Sequence, residues 1–260
     1  MTKLTNDEKN ALRFYIGDVS GYDKFYGDPK AYVTLNSLFF PNIYTEKARA
    51  DEGKFLNQAI IADIPRLFDF FRSLFSAFSK NLINKAIDVY RVERMSDFLL
   101  CRQNSATISL TSTSTSGFLN SYRDRRGIAL LKFKLPVGIN CIDIAKTLDK
   151  YSKPEEAEIL LPPFMSVNIK EKKLSESELK ITDIDNMPPE ILCEIKPVGI
   201  SVCDVKIPRL PIGGELAGQR IYAALNSHTI PIEEDIALYS EWKNALQIQL
   251  HKLIYGIINN

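Results

Sequence analysis

The stretch Tyr151-Ser-Lys-Pro-Glu-Glu-Ala-Glu-Ile-Leu-Leu-Pro-Pro-Phe164 leads from a polar loop into a short apolar run. Two carboxylates, Glu156 and Glu158, stand one residue apart immediately before the strand-like residues 159–161. Side chains two residues apart point to the same face of an extended chain, so the spacing predicts that both carboxylates look into one cleft. Carboxylates that share a site repel each other, which separates their proton affinities and suits them to different tasks. The alternative is a solvated loop, since charged runs usually lie at the surface.

Around this stretch, residues 86–200 carry the patterns of β-strands. Residues 87–94 alternate apolar and polar side chains, and residues 128–135 form a second clear strand before Pro136 and Gly138. Shorter β-prone runs occupy residues 107–115, 141–143, 159–161, 164–169 and 191–198. Turns rather than helices separate these runs, which predicts antiparallel or mixed sheets in an α+β fold.

Residues 1–85 are predicted to form a helical block. Thr5 and Glu8 have the spacing of a capping box, and Pro65 follows Asp63 where a second helix would begin. Apolar residues at helical spacing then predict one buried stripe, made of Leu67, Phe68, Phe71, Leu74, Phe75 and Phe78.

Residues 201–260 are predicted to form an extension with one long helix. Pro and Gly residues between 206 and 214 mark turns, and three acidic residues from Glu233 open an amphipathic helix that carries Trp242 and reaches Ile257. Acidic residues at a helix start agree with the helix dipole. The glycines at 213–218 lack the Lys-Ser/Thr ending of a phosphate-binding loop.

The composition excludes several classes of protein. The 260 residues carry a net charge of +1, without the basic surplus that sequence-independent nucleic-acid binding needs. The four cysteines form no Cys-x-x-Cys pair and there are only two histidines, which argues against a metal site. An apolar stretch of about 18 residues, long enough to span a membrane, is absent, and the N-terminus lacks the apolar run of a secretory signal. We therefore expect no metal, no membrane partner, and a protein that is cytoplasmic or delivered to a target cell without a cleaved signal peptide.

Three short motifs in the β-rich region resemble one enzyme family when taken in order. They are Val89-Tyr90-Arg91, Leu110-Thr-Ser112-Thr113-Ser114, and Glu156-Ala-Glu158-Ile-Leu-Leu-Pro-Pro. The set is similar to the Arg–Ser–Glu class of mono-ADP-ribosyltransferases, which includes bacterial toxins and phage enzymes, and to its Glu-x-Glu, arginine-directed branch. The resemblance covers roughly residues 4–200. The serine motif is ambiguous in phase because Ser114-Thr115-Ser116 repeats it, and Ser112 is chosen because the apolar residue two positions before it matches the family spacing.

The resemblance implies a fold and a domain organisation. A helical block, residues 1–85, would pack on two small mixed or antiparallel sheets within residues 86–200, with NAD in the cleft between the sheets. Together these form a catalytic domain of residues 1–200, and residues 201–260 form a C-terminal helical extension.

The implied activity is cleavage of NAD at the nicotinamide–ribose bond and transfer of ADP-ribose to an acceptor, with NAD as co-substrate and no metal. Glu158 would stabilise the oxocarbenium-like transition state, and Ser112 would fix the rotamer of Glu158. Arg91 would grip a phosphate with its planar guanidinium, and Glu156 would orient and deprotonate the nucleophile. The residues expected to contact NAD are Tyr90, Arg91, Val92, Ser112, Thr113, Ser114, Phe118 and Glu158.

The acceptor and partners stay open at this point. The Glu-x-Glu spacing favours a protein arginine, although Lys153 stands where the family often has an aromatic residue for target recognition. The alternatives are a nucleic-acid base, for which the basic residues at 123–126 are candidates, and an inactive partner-binding module of the same fold. An antitoxin or immunity partner is a further expectation for a toxin or effector of this kind.

Overall fold

The computed structural model describes residues 3–16, 35–36, 38–39, 63–94, 105–107, 111–115, 128–148, 157–172, 190–195 and 199–255. The chain divides into two compact units, one formed by Met1–Lys80 with Ile200–Asn260 and the other by Asn81–Gly199. The predicted division into a catalytic domain of residues 1–200 and an extension of residues 201–260 stays a prediction. Residues 200–260 group with the N-terminal helices.

Four helices make up the described part of the first unit: α1 (Asn6–Tyr15), α2 (Ile64–Ser79), α4 (Gly214–Asn226) and α5 (Glu233–Tyr255). The predicted capping box of α1 is confirmed, because the Glu8 backbone N–H donates to Thr5 Oγ1 at 3.2 Å and the Thr5 N–H donates to Glu8 Oε2 at 2.8 Å. Asp63 caps α2 by accepting a hydrogen bond from the Arg66 N–H, and Pro65 lies in the first turn as predicted. All six residues of the predicted stripe on α2 are buried.

The first unit also contains a buried ionic network at the end of α2. Glu8 is 3% exposed, and its Oε1 accepts a 2.6 Å hydrogen bond from Ser76 Oγ and forms a 2.6 Å ion pair with Lys80 Nζ. Burial by itself raises the pKa of the Glu8 carboxyl, but the hydrogen bonds from Lys80, Ser76 and the Thr5 backbone outweigh it and leave the pKa below its ordinary value. The network therefore ties α1 to α2 through an ionised carboxylate.

Helices α4 and α5 pack against each other so closely that residue 214 must be glycine. A Cβ atom added to Gly214 would lie 2.2 Å from Trp242 Cβ. Arg220 on α4 donates to both carboxylate oxygens of Asp235 on α5, at 2.8 and 2.5 Å, which lowers the pKa of Asp235. The predicted helix from Glu233 is confirmed to Tyr255, and its apolar face is buried; Ile257 lies outside the described residues.

The second unit is a mixed β-sheet with one short helix, α3 (Ile144–Thr147). Its strands are β1 (Ile87–Arg94), β2 (Ser105–Thr107), β3 (Thr111–Ser114), β4 (Ile128–Leu135), β5 (Ile142–Asp143), β6 (Glu158–Leu161), β7 (Ser166–Lys172) and β8 (Glu190–Ile195). The spatial order is β2-β7-β8-β4-β1-β3-β6-β5. Strands β4 and β8 run parallel and the other neighbours run antiparallel.

The predicted α+β class with mixed pairing is confirmed, but the strands are connected differently from two separate sheets. The eight strands form one continuous hydrogen-bonded sheet. One part of it has the five strands β2-β7-β8-β4-β1, and the other has the three strands β3-β6-β5. A single registered pair, Tyr90 with Ser114, joins the two parts. Alternate residues of both groups bury one shared core, which includes Val89, Phe133, Ile159, Leu161, Val167 and Cys193.

Among the described residues, no helix combines the length and the apolar character needed to cross a bilayer.

Candidate active site

Four residues from four neighbouring strands stand in register across the join of the sheet. Glu158 of β6 lies opposite Ser114 of β3, Ser114 lies opposite Tyr90 of β1, and Tyr90 lies opposite Lys132 of β4. Directly opposed residues of antiparallel strands present their side chains on one face, with Cβ atoms about 4.5–5.5 Å apart. We call Lys132, Tyr90, Ser114 and Glu158 the polar row.

The Glu158 end of the polar row is buried. Glu158 is 7% exposed and Ser114 is 6% exposed. Removing a carboxylate from water is costly unless polar groups solvate it. A buried glutamate at the first residue of a strand, beside a buried hydroxyl, is therefore a candidate for a chemical role.

The backbone immediately before Glu158 is strained. Ala157 has a φ of +44°, in the left-handed region that L-residues other than glycine rarely adopt. The Ala157 carbonyl still accepts a 3.2 Å hydrogen bond from the Thr115 N–H, so the turn is fixed to strand β3. The predicted shared face of Glu156 and Glu158 assumed an extended chain, and the left-handed residue between them removes that basis. Glu156 itself lies outside the described residues.

The register favours the second serine of the repeated motif. Ser112 lies opposite Leu160, whereas Ser114 lies opposite Glu158. Sequence spacing selected Ser112 from the apolar residue two positions before it, Leu110, whereas the partner of each serine is known only from the register of β3 and β6. Thr113, between the two serines, lies opposite Ile159 and donates its hydroxyl to the Ile159 carbonyl at 2.7 Å. This hydrogen bond links β3 to β6.

Arg91 is next to the polar row in the chain but is not part of it. It lies opposite Leu131 of β4 and is half-buried. Strand alternation assigns Arg91 to the face of β1 that carries the buried Val89, and Tyr90 to the other face. Val92 shares the face of Tyr90 by the same alternation. The register thus places Ser114, Glu158 and Tyr90 in one row, and Arg91 is outside that row. Phe118 lies outside the described residues.

Lys132 is the residue of the polar row that sequence reasoning missed. Its Nζ is 3.1 Å from Asp88 Oδ2 and 5.6 Å from the centroid of the Tyr90 ring. The hydrogen bond to Asp88 is the main cause that raises the pKa of Lys132 above its ordinary value. The alternating pattern of β1 and β4 was visible in the sequence, but the pairing of Lys132 with Tyr90 depends on the register of the two strands.

Possible metal ligands and the two buried thiols were compared with the polar row. The described residues contain no group of three or more His, Cys, Asp and Glu side chains that could hold a metal ion. Burial raises the pKa of the Cys141 thiol to about 12 and that of the Cys193 thiol to about 11. Both thiols are therefore protonated near neutral pH and are poor nucleophiles.

The polar row has the parts needed to stabilise a cation in a bound ligand. When ionised, a carboxylate fixed between a strained backbone turn and a paired strand offers negative charge that needs little reorganisation when positive charge develops. Ser114 lies directly opposite this residue in the strand register, and Lys132 carries positive charge at the far end of the row.

Comparisons with known proteins give matches at the level of structure. No family model matches the sequence, and no curated protein matches it. The structure is similar to the C3 exoenzyme of Clostridium limosum at 17% identity, covering 75% of this chain and 87% of that chain, with a TM-score of 0.47. It is also similar to the C3larvin toxin, an ADP-ribosyltransferase from Paenibacillus larvae, at 18% identity over 74% of this chain and 96% of that one, with a TM-score of 0.45.

A third similar structure is C2-I, the enzymatic component of the C2 toxin from Clostridium botulinum. Its identity is 15%, it covers 75% of this chain and 44% of its own, and the TM-score is 0.46. At these identities and TM-scores, neither the activities nor the residue roles of the three proteins carry over to this chain.

Proposed function

We propose that this protein is a NAD-dependent mono-ADP-ribosyltransferase. The observation that carries the proposal is the pairing of Ser114 with the buried Glu158 in adjacent strands. The ordered sequence motifs support the proposal, because an arginine, a serine and a glutamate follow one another at the strands β1, β3 and β6.

In the proposed reaction, the bond between the ribose C1′ and the nicotinamide nitrogen breaks. The electron pair leaves with nicotinamide, and the ribose becomes oxocarbenium-like. The Glu158 carboxylate stabilises that positive charge, and the Ser114 hydroxyl holds the carboxylate in place. The acceptor nucleophile then forms a bond to C1′ and gives its proton to a base, the role we assign to Glu156.

Arg91 is proposed to bind a phosphate of NAD through its guanidinium, which can form two parallel hydrogen bonds to phosphate oxygens. Tyr90 and Val92, on the face of the polar row, are proposed to contact the nucleotide. Phe118 is retained as a candidate for the nicotinamide pocket on its sequence position alone.

The proposed acceptor is a protein arginine, on the strength of the Glu-x-Glu spacing of Glu156 and Glu158. Transfer to a nucleic-acid base gains no support from the net charge of +1. When the acceptor is absent, water would take its place and the protein would act as a slow NAD glycohydrolase. The same proposal includes an acceptor protein in a target cell and an antitoxin that protects the producing cell. It also includes action in a cytoplasm.

The proposal is tested by nicotinamide release from NAD with the purified parent protein and with Glu158→Gln. Loss of the carboxylate should slow the reaction by about 10²-fold or more, the scale of one preorganised electrostatic group. NAD affinity should change much less, since the charge develops mainly after binding. Equal rates for parent and variant would remove Glu158 from the chemistry. A parent protein without NAD turnover would favour the alternative of a partner-binding module.

The acceptor is tested separately, with NAD that carries a tag on its adenosine half. A cell lysate is incubated with the parent protein or with Glu158→Gln, and the label is followed in protein, RNA and DNA fractions. Label in protein that peptide mass spectrometry locates on an arginine side chain supports the proposed acceptor. Label in nucleic acid would replace it with the base-modifying alternative.

A further inference from the structure

We propose that Lys132 is a second cation of the NAD site and contacts the pyrophosphate of the dinucleotide. This inference rests on the function proposed above. Sequence motifs assign the phosphate contact to Arg91 alone, whereas the register of the sheet places Lys132 in one row with Glu158, and Arg91 outside that row.

The dimensions of the polar row suit an extended dinucleotide. Three strand separations lie between Glu158 and Lys132, which corresponds to about 14 Å between their backbones. The Lys132 side chain leans back along this path, because its Nζ is 5.6 Å from the Tyr90 ring centroid. A ligand with its nicotinamide ribose at Glu158 would therefore pass over Ser114 and Tyr90 and bring its pyrophosphate toward the ammonium group.

The contacts of Lys132 are not those of an ordinary cross-strand ion pair. The residue directly opposite Asp88 is Lys134, yet Asp88 forms its ion pair with Lys132, on the diagonal. The Asp88 side chain is 43% exposed, and an ion pair with an exposed carboxylate contributes little to stability. The diagonal contact holds the ammonium beside the Tyr90 ring, and the Lys132 side chain is only 22% exposed.

The charge of Lys132 fits a phosphate ligand. An ammonium group has three N–H donors, so one lysine can serve a carboxylate and a ligand oxygen together. The raised pKa keeps it positively charged across the neutral range. Lysine binds phosphate as a point charge and needs no planar partner.

The test measures equilibrium binding by calorimetry in a Glu158→Gln background, where consumption of NAD is expected to be about 10²-fold slower or more. The ligands are NAD, nicotinamide mononucleotide and nicotinamide riboside, which differ in their phosphates. Lys132→Met should weaken binding of NAD and of the mononucleotide about tenfold, as expected for one charge-assisted hydrogen bond, and leave the riboside unchanged. Lys132→Arg should restore most of the affinity. Lys134→Met, on the same strand and the same face, is the matched control and should bind all three ligands like the background.

The outcomes separate this inference from the proposed function. If Lys132→Met binds NAD like the background while the parent protein turns NAD over, the inference is wrong and the proposed function stands. Equal losses for the riboside and for NAD would show a structural effect and would also overturn it. If the background protein binds no NAD and the parent releases no nicotinamide, the proposed function is wrong and this inference falls with it. Thermal unfolding of each variant shows whether it is folded.

Discussion

Ser114 lies directly opposite Glu158 in the antiparallel pair of β3 and β6, and both side chains are buried. The alternative serine of the same motif, Ser112, lies two positions farther along, opposite Leu160. On one face of an antiparallel pair, a directly opposed side chain is about 2–3 Å closer than a diagonal one. The register therefore favours Ser114 as the serine that acts on Glu158.

The two serines give a matched pair of variants. Ser114→Ala should lower the rate of nicotinamide release about tenfold or more, because Glu158 loses the hydroxyl that holds it. Ser112→Ala, with the same chemical change on the same strand, should stay within about threefold of the parent, since its register partner is a leucine. Steady-state kinetics with NAD checks both variants. A larger loss for Ser112→Ala would return the role to the serine that sequence spacing selects.

The roles of the two glutamates are separated by Glu156→Gln. Glu158 is proposed to act on NAD, and Glu156 is proposed to act only on the acceptor. Water needs less positioning than an arginine side chain, so Glu156→Gln should keep most of the NAD hydrolysis and lose transfer by about 10²-fold, the scale of a general base. Nicotinamide release and acceptor labelling are measured in one preparation. Equal losses in both reactions would place Glu156 in the NAD site itself, and no loss in either would make it a solvated loop residue.

The left-handed backbone of Ala157 predicts an unusual order of stabilities. Glycine adopts a positive φ without steric cost, so Ala157→Gly should leave the free energy of unfolding unchanged or raise it by up to about 1 kcal/mol. Valine, which is β-branched, should lower it by about 1–2 kcal/mol at the same position. Urea denaturation of the three proteins gives the comparison. A glycine variant less stable than the valine variant would mean that the backbone is not left-handed at this residue.

The sequence predicted the elements that depend on local signals. The capping box at Thr5 and Glu8, the start of α2 beside Pro65, the buried stripe of α2 and the start of α5 at Glu233 follow from spacing and composition within about twenty residues. The strands at 87–94 and 128–135 were also predictable, since residues 87–94 alternate and residues 128–135 end before Pro136 and Gly138.

The candidate site was only partly predictable because it depends on contacts between distant strands. Glu158 was found from its neighbours in the chain. Ser114 and Lys132 could be chosen only from the pairing of β3 with β6 and of β1 with β4. These pairings bring residues that are far apart in the sequence opposite each other. A one-residue slip of any of these strands would exchange its two faces. The left-handed Ala157 carries no sequence signal at all, because alanine is an ordinary residue for an extended chain.

The contact between α4 and α5 predicts a strong effect of one added methyl group. Gly214→Ala would place a Cβ atom 2.2 Å from Trp242 Cβ, closer than any van der Waals contact. Overpacking of this kind should lower the free energy of unfolding by about 1–3 kcal/mol or more. Gly199→Ala is the control, because nothing lies within 4 Å of its added Cβ. Thermal denaturation should show a lower midpoint for Gly214→Ala only, and equal midpoints would mean that the helices separate at no cost.

The buried carboxylate of Glu8 predicts how the stability of the protein depends on acid. The pKa of Glu8 in the folded protein is lowered, because hydrogen bonds from Lys80, Ser76 and Thr5 outweigh the effect of burial. A lowered folded pKa means that the unfolded chain takes up the proton first as the pH falls. The stabilisation by Glu8 is therefore fully present above the ordinary glutamate pKa of about 4.3, and it is lost as the pH falls through the folded value.

Glu8→Gln removes the carboxyl group whose ionisation causes this pH dependence, so a comparison with the parent measures its contribution to stability. At neutral pH the variant should be less stable by about 1–3 kcal/mol, since Lys80 and Ser76 lose a charged partner. Below the folded pKa the difference should shrink, because the parent carboxyl is then also neutral. Urea denaturation at several pH values between neutral and strongly acidic gives the two stability curves. A difference between parent and variant that stayed constant over the whole range would show that Glu8 acts through its shape and neutral hydrogen bonds, and that its charge contributes nothing to holding α1 against α2.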